Sequence, residues 1–294
     1  MSYVASIVIP LLRQVDQWLE QSVLSAVDQS VATEVIVVRS NRTPPSNLEV
    51  LERLAGRYSN LIRLVEEKPG NFPAAINQGI GAARSDRVGL LLSDDWLELT
   101  ATATSLRESA DIVSSGAVVH FADGQVNELA TRRPSMKAFA SCRTDEERAS
   151  YLEHFFLFRK ECLLRIGGLD ETIGNYPGID DYDLIWTLLE GGASVAIVER
   201  FLYHYRDHDG ERLTLQHPDL MLANLRKILR KHAVEDEAAR EIIKRHAPWY
   251  GMPIYRVRDE HGNLRDKRVR RANGWAQRSP FNRLAKALKS FRGT

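Results

Sequence analysis

The 294 residues are 44% hydrophobic and 27% charged, with a formal net charge of +1. That balance excludes a disordered or collagenous chain, and the length suits one large core or two closely packed halves. No run reaches the roughly 18 apolar residues needed to span a bilayer, and no secretory signal opens the chain. Cys142 and Cys162 have no metal-ligand spacing, so a cytoplasmic protein with reduced thiols is expected.

Val4–Ile9 reads as a short apolar strand stopped by Pro10, and Trp18, Leu19, Ser22, Val23, Ala26 and Val27 then recur at helical spacing. Glu34–Val38 is the next strand, and Leu48, Leu51, Leu54 and Ala55 mark one face of a second helix. Leu61–Val65 follows as a strand, Pro73–Arg84 as a helix with proline at its start, and Val88–Leu92 as a fourth strand. Such alternation predicts a mostly parallel sheet with helices on both faces. Ligands of such sheets bind at the carboxyl ends of strands, where Arg39-Ser40-Asn41 and Ser93-Asp94-Asp95 fall. Beyond Ala110 the pattern changes. Asp111–Phe121 reads as strand, Asp123-Gly124 as a turn, Glu146–Arg165 as a helix and Asp180–Glu190 as another helix. Ala193–Val198 is a strand, and Leu220–His232 and Glu235–His246 are two further helices.

Two adjacent carboxylates at the end of a buried strand are costly to leave unpaired. Asp94 and Asp95 could hold a divalent cation, because Mg²⁺ and Mn²⁺ take carboxylate oxygens together with substrate phosphates. The alternative is a solvated turn that caps the next helix. Asp180-Asp181-Tyr182-Asp183-Leu184 is a second acidic group, far downstream. Its alternative is N-capping of the helix that follows, where negative charge is favourable.

From Val4 to about Leu213 the chain resembles the inverting, nucleotide-sugar-dependent glycosyltransferases of family 2, which have the GT-A fold. The pieces arrive in that family's order: Ser6-Ile7-Val8-Ile9-Pro10, Ala74-Ala75-Ile76-Asn77-Gln78-Gly79-Ile80, Ser93-Asp94-Asp95-Trp96, Gly167-Gly168-Leu169-Asp170-Glu171, Asp180-Asp181-Tyr182-Asp183-Leu184 and Tyr203-His204-Tyr205-Arg206-Asp207-His208. The resemblance implies an α/β GT-A-type, Rossmann-like mixed, mostly parallel sheet flanked by helices, with a C-terminal helical extension. It implies Asp94 and Asp95 as metal ligands, joined by His208, with Mn²⁺ or Mg²⁺ as cofactor. Asp181 matches the catalytic base, with Asp180 beside it where Glu is more usual. Pro10, Arg39, Asn41, Asn77 and Asp94 fall on the donor side, and Trp96 and Asp180 on the acceptor side. His208 has the alternative of a plain surface residue, and His204 reads as a packed, hydrogen-bonded one. The chemistry asks for two acidic groups, because a base must take the acceptor proton while the opposite end steadies the departing diphosphate.

The pattern breaks in places. Leu92 stands where many members carry a further Asp, and Val38-Arg39-Ser40-Asn41-Arg42 lacks the acid that recognises uracil. Ile76 replaces the usual Arg, and Pro10-Leu11-Leu12-Arg13 lacks an aromatic-Asn pair. A different nucleotide, a uridine held by Arg39 or Asn41, or a decayed donor site would each explain this. The chain has no Gln-x-x-Arg-Trp motif and no transmembrane helices, unlike the family's processive synthases, so one transfer per encounter is expected.

Residues 256–294 hold 12 Lys/Arg against 3 Asp/Glu, with Phe281, Leu284, Leu288 and Phe291 at helical spacing. Such a tail suits an anionic membrane surface, and the alternatives are packing on the body or a second subunit, or nucleic acid. The expected layout is a nucleotide-sugar-binding half (1–115), an acceptor half of the same domain (116–215), a helical extension (216–255) and the basic tail. The expected activity is metal-assisted transfer of one sugar from a nucleotide diphosphate sugar to a hydroxyl acceptor, soluble or lipid-linked, with inversion. The enzyme would be cytoplasmic, peripheral at the inner face of the membrane where the tail binds it. The competing reading is a non-catalytic GT-A-like protein that binds a sugar or a partner.

Overall fold

A computed structural model of the chain describes residues 2–68, 70–121, 126–127, 133–173, 179–207, 218–246, 254–258 and 264–268. The chain divides into two compact units, one of Met1–Asn175 with Asp180–Asp207 and the other of Tyr176–Ile179 with His208–Thr294.

In the first unit, β1 (Ala5–Leu11), α1 (Asp16–Val27), β2 (Thr33–Arg39), α2 (Pro45–Arg57), β3 (Ile62–Glu66), α3 (Phe72–Ala82) and β4 (Arg87–Leu90) follow the expected alternation. β5 (Trp96–Leu97), α4 (Ala101–Ser105), β6 (Ile112–Phe121), β7 (Val126–Asn127), α5 (Met136–Ala140), α6 (Asp145–Tyr151), β8 (Leu157–Arg159), α7 (Lys160–Arg165), α8 (Asp180–Glu190) and β9 (Val195–Asp207) complete it. The nine-stranded sheet runs β3-β2-β1-β4-β8-β6-β9-β5, with β7 beside β6. β3, β2, β1 and β4 are parallel, and β8 lies antiparallel between β4 and β6.

β1 and β2 are buried on both faces and mostly apolar, as strands covered on both sides require, and their buried polar residues Ser6 and Glu34 pair with each other, Ser6 Oγ donating to Glu34 Oε2 at 2.8 Å. Ile7, Ile9, Val35 and Val37 join Leu19, Val23, Leu51 and Leu54 of α1 and α2 in one core. Val8 and Val38 meet α3 instead, at Gly79, where an added Cβ would lie 2.3 Å from Val8 Cγ1. Gly79 thus lets α3 sit close on the sheet. Asn71 caps α3 by accepting from the Ala74 N–H, with Pro73 in the first turn.

Several expectations need correction. β1 runs through Pro10 to Leu11. Val8 C=O accepts from Leu91 N–H, so Pro10, two residues on, faces the same side just past the end of β4 at Leu90, where no ladder donor is needed. Glu146–Arg165 is not one helix. α6 stops at Tyr151, and Phe155, Phe156, Leu157 and Phe158 are all buried and lead into β8. A strand buried on both faces shows no alternation to separate it from a helix. The strand expected at Ala193–Val198 continues to Asp207, with register irregularities opposite Ser114–Ala117. The helix expected at Asp180–Glu190 is α8 with those bounds, so Asp180 and Asp181 lie in its first turn and not at an N-cap before it. The Asp123-Gly124 turn lies outside the described residues.

The second unit contains α9 (Pro218–Lys231), α10 (Asp236–His246) and a hairpin of β10 (Ile254–Arg258) and β11 (Leu264–Arg268). The tail residues Phe281, Leu284, Leu288 and Phe291 lie outside the described residues. Among the described residues no helix is long and apolar enough to cross a membrane.

Candidate active site

The order β3-β2-β1-β4 places a switch of connection direction between β1 and β4, and ligands of open α/β sheets bind outside the carboxyl ends at such a point. Asp94 and Asp95 follow β4 there. Asp95 is only 1% exposed. Its Oδ2 accepts from the Tyr203 hydroxyl at 2.7 Å and its Oδ1 from the Arg206 N–H at 2.7 Å. Tyr203 is fully buried, and its hydroxyl also accepts from Leu92 N–H at 3.3 Å. Burial and the neighbouring Asp95 push the Tyr203 phenol well above its ordinary value, so it remains a donor.

Arg206 closes the turn from the other side. Its guanidinium lies 4.9 Å from the Trp18 ring and 4.7 Å from the Trp96 ring, and its Nε donates to Asp94 C=O at 2.8 Å. Burial lowers the Arg206 pKa, against the pull of Asp95 and Asp94. Tyr203 and Arg206, two residues of the Tyr203–His208 segment, therefore fix the acidic turn. Their roles were not read from the sequence, although their motif was.

Trp96 stacks on His204 with centroids 5.0 Å apart, and the two are partners in the β5–β9 register. His204 Nε2 lies 2.8 Å from Glu98 Oε1 and its Nδ1 lies 2.9 Å from His120 Nε2. This is the packed, hydrogen-bonded histidine expected. Burial, His204 and Arg206 together depress the His120 pKa to about 4, which keeps it neutral at pH 7.

Asp181 reaches the same place from α8. Its Oδ1 accepts from Tyr182 N–H at 2.9 Å, and its Oδ2 lies 3.3 Å from His154 Nε2. Burial pushes the Asp181 carboxyl up, but His154 and the backbone donors outweigh it and leave the group below its ordinary value. The carboxylate is thus charged and able to accept a proton. The His154 ring stacks on Tyr203 at 5.1 Å, so Asp95, Tyr203, His154 and Asp181 form one continuous set of contacts. Asp180 is the first residue of α8 and is half-buried.

The donor-side residues are dispersed. Pro10 is buried opposite Val38, and Ile76 is buried in α3 at 3% exposure. Arg39 ends β2 and pairs with Glu66 at 3.5 Å, and Asn41 is exposed in the turn beyond. Asn77 is engaged elsewhere: its amide donates to Leu169 C=O and Glu171 Oε1, and its Oδ1 accepts from Leu169 N–H. It pins the Gly167–Glu171 segment to α3, with Asn71 donating to Glu171 C=O as a second tie.

The two aspartates offer the hard oxygen donors that Mg²⁺ or Mn²⁺ prefers, and such ions often keep waters and phosphate oxygens for the rest of their shell. Each oxygen of Asp95 accepts a protein donor, which fixes the carboxylate in the turn. The pair therefore fits a cation brought in with a diphosphate. Among the described residues no group of three or more His, Cys, Asp or Glu side chains is gathered to hold a metal ion, and His208 lies outside them.

The family model described as "Glycosyl transferase family 2" matches residues 6–167. Over 204 residues the chain is 27% identical to O-antigen biosynthesis protein RfbC of Myxococcus xanthus, which covers 69% of this chain but only 16% of that protein's length. S. aureus TarS 1-349 in complex with UDP is similar in structure at a TM-score of 0.59 and 13% identity, covering 96% of this chain and 77% of that one. Mannosyltransferase PcManGT from Pyrobaculum calidifontis, in complex with GDP-Man and Mn2+, matches at 0.59 and 16%, over 84% of this chain and 72% of that one. These likenesses establish the GT-A-type architecture.

Proposed function

The chain belongs to glycosyl transferase family 2, and from that premise we propose that it moves one sugar from a nucleotide diphosphate sugar to a hydroxyl acceptor with inversion. The observation that carries the reading is the contact series Asp95–Tyr203–His154–Asp181, which joins two acidic groups 86 positions apart in sequence at the carboxyl end of the sheet. An in-line displacement needs that separation of roles. Asp181 takes the proton of the acceptor hydroxyl as its oxygen bonds to the anomeric carbon, and the bond from that carbon to the diphosphate breaks on the opposite side. A divalent cation, when bound, would supply charge to the leaving diphosphate, and the carboxylates of Asp94 and Asp95 would hold it. Tyr203 and Arg206 keep the Asp95 carboxylate and the backbone of the turn in place before the donor arrives.

The donor base is held differently from the common uridine pattern. Arg39 and Asn41, at the end of β2, are the polar groups nearest that role, while buried apolar Ile76 offers no anchor. The acceptor is a hydroxyl compound of polysaccharide or glycolipid synthesis, and the basic 256–294 segment brings the enzyme to an anionic membrane surface. Melting curves with UDP or GDP and Mn²⁺ test the donor site, because a ligand of the folded state raises its stability by mass action. Wild type should be stabilised by one of them and Asp94→Ala should not. Equal stabilisation of both proteins would overturn the assignment.

A further inference from the structure

We propose that His154 is a positioning residue for the acceptor-side carboxylate: its Nε2–H holds Asp181 in the orientation that receives the acceptor proton. The proposal rests on the reading of Asp181 as the base.

His154 sits three residues before β8, and its ring is fixed by aromatic neighbours. It packs on Phe156 at 4.8 Å, tilted by 59°, and on Tyr203 at 5.1 Å with planes 28° apart. Its Nδ1 is buried and has no hydrogen-bond partner among the described residues. Its Nε2 lies 3.3 Å from Asp181 Oδ2, so Nε2 must carry the proton and Nδ1 is the bare nitrogen. One tautomer is therefore selected, and among the described residues the ring's polar contact is with Asp181. Distances of this length tighten when substrate binds.

Tyr182 N–H holds the other oxygen of Asp181 at 2.9 Å, so the carboxylate is tied at both ends. The Asp181 side chain is 38% exposed and that of His154 27%, and an ion pair so open to water adds little stability. Its consequence falls on orientation. Tyr203, which stacks on the ring, also donates to Asp95, so one residue braces both the acidic turn and the imidazole aimed at the base. His154 carries no proton away, because Nε2 is already protonated and Nδ1 leads nowhere.

The test uses the full chain and two substitutions. His154→Phe keeps the stack on Tyr203 but removes the N–H, and His154→Gln returns a donor. The probe is release of UDP or GDP from a panel of their sugar diphosphates, with water as acceptor. His154→Phe should lower kcat by about 10–100-fold, the scale of a misplaced reacting group, with donor KM within about twofold. His154→Gln should recover about tenfold of that loss, and in an Asp181→Asn background His154→Phe should add nothing. A kcat for His154→Phe within twofold of wild type, or an undiminished further loss in the Asp181→Asn background, would overturn the proposal. Ring ¹⁵N spectra give a readout independent of turnover: wild type should show the Nε2–H tautomer, and Asp181→Ala should lose that preference. An Nδ1–H tautomer in wild type would also overturn it. If wild type turns over no sugar diphosphate, the transfer reading fails, while the spectra still decide His154.

Discussion

Tyr203→Phe isolates a single hydroxyl at the centre of the site. The change leaves the ring stack on His154 and removes the 2.7 Å bond to Asp95 Oδ2, between two side chains that are 0% and 1% exposed. A hydrogen bond to a charged group contributes about 1.5–3 kcal/mol, and the longer bond from Leu92 N–H adds at most about 1 kcal/mol. Asp95 keeps Arg206 N–H on its other oxygen, so the carboxylate is not left bare. The expected cost is therefore about 2–3.5 kcal/mol, or a fall in Tm of about 3–6 °C for a chain of this size. Urea unfolding followed by tryptophan fluorescence reads it, and the m-value should not change. Nucleoside diphosphate binding with Mn²⁺ should weaken in parallel, because the acidic turn loses its brace. A loss under about 0.5 kcal/mol with unchanged m would show that the buried Tyr203–Asp95 bond contributes nothing.

Two further outcomes follow from the surroundings. The His120 pKa falls from 6.5 to about 4 on folding, so between those values the unfolded chain binds the proton that the folded one refuses. Wild type should lose stability as pH drops through that window, and His120→Phe should flatten that part of the profile; identical profiles would contradict a neutral, half-buried His120. At Gly168 φ is +80°, and a Cβ there would lie 2.2 Å from Asn77 Oδ1. Gly168→Ala should cost at least about 1–2 kcal/mol from backbone strain alone and loosen the Gly167–Glu171 segment, measured by hydrogen exchange of Leu169; unchanged stability and exchange would count against the Asn77 tie.

The first four strands and three helices were legible because their signals are local. Apolar runs on β1 and β2, Pro73 at the start of α3 and periodic leucines in α2 each name an element without help from the rest. β8 was not, since Phe155–Phe158 is buried on every side and carries no alternation. That error hid His154, which a helix from 146 to 165 would have placed without reference to Asp181. The two-residue β5 is too short for any period, yet its pairing with β9 is what seats Trp96 on His204. Motif order located the acidic groups, but not the long β9 that carries Tyr203 and Arg206 beneath them. Asn77 shows the converse: its motif suggested the donor, and its hydrogen bonds go to residues 169 and 171.

The most direct measurement is nucleoside diphosphate release from a nucleotide sugar by wild type and by Asp181→Asn, with binding of the same donor measured on both. Loss of the base should reduce turnover by about 10²–10⁴-fold and leave donor affinity within about twofold, because Asp181 acts on the acceptor. Turnover by Asp181→Asn close to that of wild type would contradict the account.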